Sequence, residues 1–116
     1  MSKHTGGCHC GKVRFEAELD ISKGLACNCS ICSKRGTILS FIQDSQFKLL
    51  SGKENLSEYL FNKHHIHHKF CKTCGILSFA DGTAPDGSTM VAINLRCIDN
   101  IDIEKIKIDM HNGKDA

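Results

Sequence analysis

Residues 8–19 read CHCGKVRFEAEL. The first third, Cys8-His9-Cys10-Gly11, has the form of half a metal site. Two soft ligands lie one residue apart, and a glycine follows that lets the backbone turn tightly around an ion. The remainder alternates with period two. Val13, Phe15, Ala17 and Leu19 fall on one face of an extended chain, which predicts a half-buried strand. A two-cysteine half-site must borrow its remaining ligands from elsewhere in the chain.

The chain has 116 residues and eight cysteines. Cys71 and Cys74 in CKTCG form a C-x-x-C-G half-site, and Gly75 follows its second cysteine as Gly11 follows Cys10. A third cluster, CNCSIC, supplies Cys27, Cys29 and Cys32, and Cys97 stands alone. Closed structural zinc sites take four protein ligands, whereas catalytic ones take three and keep a position open. Seven clustered cysteines therefore divide most economically into Cys8, Cys10, Cys71 and Cys74 on one ion and Cys27, Cys29 and Cys32 on another. A zinc ribbon pairing Cys29 and Cys32 with Cys71 and Cys74 is an alternative partition. A redox role for Cys29-Ser30-Ile31-Cys32 would need a βαβ setting that the strand-rich pattern does not supply.

The bulk properties narrow the function class. A chain of this length makes one domain, residues 1–116, with little core to spare, so a metal would help to hold it together. The first ten residues, MSKHTGGCHC, contain no apolar run of the signal-peptide kind. A cytoplasmic, reducing setting is expected, with thiols free or on metal rather than in disulfides. The formal net charge of +2 is too mild for a nucleic-acid footprint. No apolar stretch approaches the ~18 residues of a membrane span.

Further short strands are expected in TILSFIQ, FKLL, LSEYLF, HHIHHKF, ILSFA, TMVAINLR and IEKIKIDM, separated by Gly, Asn, Asp and Ser clusters. Asp81-Gly82 and Asp86-Gly87 both read as sharp turns. The one helical turn expected is SICSKRG, Ser30 to Gly36. The result is a mainly β domain.

The ordered motifs GGCHCGKVRFEAEL, CNCSICSKRG, FKLLSGKENLSEYLFN and HKFCKTCGILSF resemble the glutathione-dependent formaldehyde-activating enzyme family, which includes centromere protein V. CNCSICSKRG, FCKTCGI, PDG and NLRCID look closer to the centromere protein V-like branch. The resemblance implies a β-tent, small antiparallel sheets clasped by a structural zinc. It makes Cys8, Cys10, Cys71 and Cys74 the structural zinc ligands and Cys27, Cys29 and Cys32 the catalytic ones. It also implies a carbon–sulfur lyase that adds glutathione to formaldehyde, giving S-hydroxymethylglutathione. ADGTA, residues 80–84, departs from the family pattern, which has an aromatic after Phe79 and then a Pro-Arg-Ser-like run.

The residues suit this chemistry. Three thiolates on Zn²⁺ leave a net negative site, poor for making hydroxide but suited to keeping an added thiol ionised. Lys34 and Arg35 follow the triple and could hold glutathione carboxylates or form a solvated basic turn. In HHIHH the four histidines alternate faces of one strand, so they cannot converge on one ion. His68 shares the face of Ile66 and Phe70 and is expected packed or hydrogen-bonded, with a pocket role as the alternative. His64, His65 and His67 are expected at the surface, and His9 pointing away from its neighbours' metal. Cys97 reads as a small buried apolar residue. The expected partner is a small thiol, and a homodimer is compatible with the sequence. Reading the same cysteines without turnover gives a non-catalytic zinc-binding interaction module or a thiol carrier.

Overall fold

The structure, a computed structural model, describes residues 2–60, 66–84 and 86–112. In chain order the elements are β1 (Ser2–Gly7), β2 (Arg14–Leu19), β3 (Lys23–Cys27), α1 (Ser30–Arg35), β4 (Leu39–Gln43), β5 (Phe47–Ser51), β6 (Leu56–Tyr59), β7 (Ile66–Cys71), β8 (Phe79–Thr83), β9 (Thr89–Asn94) and β10 (Lys107–His111). They form a three-stranded sheet, β1-β2-β5, and a seven-stranded sheet, β10-β3-β4-β9-β8-β7-β6. The mainly β expectation holds. One pairing departs from an all-antiparallel plan: β10 lies parallel to β3, with Lys107 opposite Lys23 and His111 opposite Cys27.

The core sits between the sheets, and the alternation of β2 explains it. Val13, Phe15, Ala17 and Leu19 are all essentially buried, while Glu18 between them is exposed. Opposite them the large sheet contributes Phe79, Val91 and Ile93. Phe47 bridges the layers, its ring centroid 5.8 Å from Phe15 and 4.6 Å from Phe79. At the start of β2, Arg14 makes a two-pronged ion pair with Asp99, which also accepts from the Thr5 hydroxyl at 2.8 Å.

Two sequence expectations change. Asp81-Gly82 is no turn; both residues lie inside β8, with Gly82 paired to Ile66 on one side and Met90 on the other. The chain reverses instead at Asp86-Gly87, where Gly87 has φ 88° and the Asp86 carboxylate accepts from the Ser88 amide and hydroxyl. The strand expected in ILSFA begins only at Phe79, because Ile76 and Ser78 are used to bond Cys71 and Asn94 across the loop. The expected α1 helix is present, spanning Ser30–Arg35 and stopped by Gly36 in the left-handed region.

Candidate metal centres and the adjoining pocket

The sheets meet where the cysteines meet. Cys8 and Cys10 lie in the turn between β1 and β2 of the small sheet, and Cys71 ends β7 of the large one, with Cys74 in the following turn. Their four Sγ atoms lie within 4.8 Å of one another. The Cys8–Cys10 and Cys10–Cys71 sulfurs are 3.6 Å apart. Tetrahedral zinc with ~2.3 Å bonds to sulfur separates its ligands by about 3.8 Å, so the set fits that ion. Both loops turn through a glycine in the left-handed region, Gly11 with φ 84° and Gly75 with φ 78°. Each donates its amide to the first cysteine's carbonyl, Gly11 to Cys8 and Gly75 to Cys71. Amide donors also point at the sulfurs. Val13 N–H donates to Cys8 Sγ at 3.3 Å and the Asn55 side chain to Cys71 Sγ at 3.1 Å. The Cys71 thiol is held down to about 6, chiefly by the Cys74 backbone N–H. These donors stabilise thiolate sulfur whether or not an ion is bound.

The second cluster is built differently. Cys27 ends β3, Cys29 precedes α1, and Cys32 lies in its first turn. Their Sγ atoms again lie within 4.8 Å of one another, and among the described residues this group numbers three. Cys29 N–H donates to Cys27 Sγ at 3.4 Å. Burial, reinforced by Cys29 and Cys27, pushes the Cys32 thiol up to about 12. Three ionised sulfurs this close repel one another, and a divalent cation would remove the penalty. The donor set therefore fits a soft or borderline ion such as zinc, with one coordination position left to an outside ligand.

This cluster opens into a cavity of about 510 Å³, lined also by Arg35, His68, Phe41, Ala80 and Ala92 among others. Arg35, in the last turn of α1, reaches in and donates to His68 Nδ1 at 3.3 Å. A guanidinium can only donate, so Nδ1 accepts and the neutral ring carries its proton on Nε2. Burial, then the nearby guanidinium, lowers the His68 pKa, consistent with that neutral ring. His68 is thus buried and hydrogen-bonded, as expected, and also lines the pocket. Lys34 is exposed and lies off the lining. Arg35 and Leu77 also border a neighbouring hollow of about 750 Å³ that includes Asn94 and Arg96.

The other candidates resolve as follows. His67 lies at the surface as expected, its side chain 42% exposed and its Nδ1 3.3 Å from the Glu58 carboxylate on β6. His64 and His65 lie outside the described residues. His9 is exposed. Cys97 is half-buried and belongs to neither ligand group; its Sγ lies 3.7 Å from the Leu77 carbonyl oxygen. No helix among the described residues is long and apolar enough to cross a membrane. The sequence reading missed the Arg35–His68 contact. Those residues are 33 apart in the chain, and no local pattern links them.

The chain is similar to the crystal structure of a Rhodobacter sphaeroides protein, with 28% identity, a TM-score of 0.81, and coverage of 92% of this chain and 99% of that one. A family model described as glutathione-dependent formaldehyde-activating enzyme matches residues 3–112. With the motifs in order and the matched segment spanning both cysteine clusters, the chain belongs to the glutathione-dependent formaldehyde-activating enzyme family.

Proposed function

We propose that the protein is a zinc-dependent carbon–sulfur lyase of the S-(hydroxymethyl)glutathione synthase type. Family membership supports a glutathione-dependent reaction with formaldehyde. The observation that carries the reading is the three-cysteine group, Cys27, Cys29 and Cys32, opening directly into a cavity. Zinc held there would supply a Lewis acid able to deprotonate an added thiol. Cys8, Cys10, Cys71 and Cys74 would hold a second, structural zinc.

The chain's own groups then have separate tasks. The three cysteine sulfurs fix one end of the pocket, where the substrate sulfur must arrive. Arg35 offsets their negative charge and offers a fork of donors to a glutathione carboxylate. His68 accepts from Arg35 and holds the guanidinium toward the cavity. Arg96 in the adjoining hollow offers a further donor group to the tripeptide. In the addition, the glutathione sulfur forms a bond to the carbonyl carbon, the C=O π pair moves to oxygen, and that oxygen takes a proton. Glutathione and formaldehyde are thereby joined with no atom lost. Holding the reactants side by side supplies much of the rate gain for so small an electrophile.

Two-dimensional exchange spectroscopy of formaldehyde with glutathione tests this reading. The zinc-loaded protein should speed exchange between free and thiol-bound formaldehyde, and Cys32→Ser should abolish the gain. Exchange rates unchanged by the intact protein would refute the reaction.

A further inference from the structure

The cavity beside the three cysteines, about 510 Å³, has to take the sulfur end of glutathione as well as the carbonyl reactant. Its lining, more than its size, bears on the second reactant: Leu39, Phe41, Ile66 and Met90 make much of it apolar, with Thr83 and His111 among the polar members.

Strand register explains the shape. Across the large sheet His68, Ala80, Ala92 and Phe41 stand side by side, and the next row is Ile66, Gly82, Met90 and Gln43. Alternation sends Val91, Ile93 and Ile42 to the core on the opposite face. Ala80, Ala92 and Gly82 are therefore a low floor, and the longer side chains of Phe41 on one side and Ile66 on the other are walls. The Asp81 carboxylate, between two floor positions, pairs with Lys69 at 2.8 Å; Asp81 borders both this cavity and a further hollow that it shares with Lys69. Phe41 and Ile66 are 53% and 50% exposed. These apolar walls stand open to solvent beside a reactive centre, as ligand-contacting side chains do.

Taking the thiol addition above as the reaction, we infer that the carbonyl substrate carries an apolar substituent, an alkyl chain of several carbons or an aryl ring, which lies in this trough. The thiol's charged end occupies Arg35, and Ala80, Ala92, Phe41 and Ile66 offer the second reactant mainly hydrophobic contacts beyond its carbonyl. The balanced step is unchanged. The sulfur bonds to the carbonyl carbon, the π pair goes to oxygen, and the oxygen takes a proton to give a hemithioacetal bearing the larger group.

Stable S-alkylglutathiones place an alkyl group where that substituent would lie. Isothermal titration of the zinc-loaded protein with S-methyl- and S-hexylglutathione measures the effect. S-hexylglutathione should bind at least tenfold more tightly. Ala92→Leu, which raises the floor, should narrow the ratio to below threefold. Phe41→Ala, which removes a largely exposed wall without touching the core, should narrow it too. Equal affinities for the two ligands would overturn the inference, as would a ratio that survives both substitutions. The reaction itself stands or falls separately on the formaldehyde–glutathione exchange rates. Fast exchange with no chain-length preference would sink the apolar substrate alone.

Discussion

The two cysteine groups contain the same kind of ligand and differ in everything around it. The four-cysteine group joins two sheets, with one pair in the β1–β2 turn and the other at the end of β7. Amide donors and two glycine turns flank it. The three-cysteine group comes from one short run of chain around the start of α1 and faces a cavity. The first is placed to resist separation of the sheets. The second joins β3 only to α1, the next element in the chain. A closed site spends its ligands on the fold, and an open one leaves coordination for a substrate.

The largest test of this contrast is Cys71→Ser. A four-cysteine zinc site is worth ~10–16 kcal/mol in apparent terms, against a net stability of ~5–15 kcal/mol for a domain. Circular dichroism should show a chain without a cooperative melt. Cys32→Ser should lose one of two zinc ions and all catalysed exchange while its Tm stays within about 5 °C, a change below roughly 1 kcal/mol. Equal collapse of both variants would reject the division of the cysteines.

A smaller effect separates the two basic residues after the triple. Arg35→Ala removes a charge-assisted donor worth ~1.5–3 kcal/mol. It should raise KM for glutathione by at least about tenfold, with kcat changed less. Lys34→Ala should leave both parameters within about twofold, because Lys34 is exposed and off the pocket lining. Steady-state kinetics on the pair decides which of them faces the substrate.

Much of this was legible in the sequence where the signal is local. The C-x-C, C-x-C-x-x-C and C-x-x-C-G spacings, the glycines after Cys10 and Cys74, the buried face of β2 and the helical turn at Ser30 each lie within a few residues. Other features depend on partners far along the chain. β1 contains Lys3, His4 and two glycines and has weak strand character of its own; pairing with β2 along its whole length makes it a strand. β3 is five residues with Gly24 inside it, and it is completed by β10, some eighty positions later. Asp81-Gly82 carries a turn signal that β7 and β9, pairing on either side, override. The trough was hidden for the same reason. Ala80, Ala92 and Phe41 become neighbours only through the register of three strands. The same register puts Ala80 and Gly82 of ADGTA, which stands out from the family pattern in the sequence, on the pocket floor.

Zinc-edge X-ray absorption, recorded with and without glutathione, tests the central contrast most directly. The account predicts that the averaged sulfur count per zinc rises to four when glutathione is added, and that in Cys32→Ser, with only the closed site filled, it starts at four and does not change. A sulfur count in the intact protein that is the same with and without glutathione would contradict it.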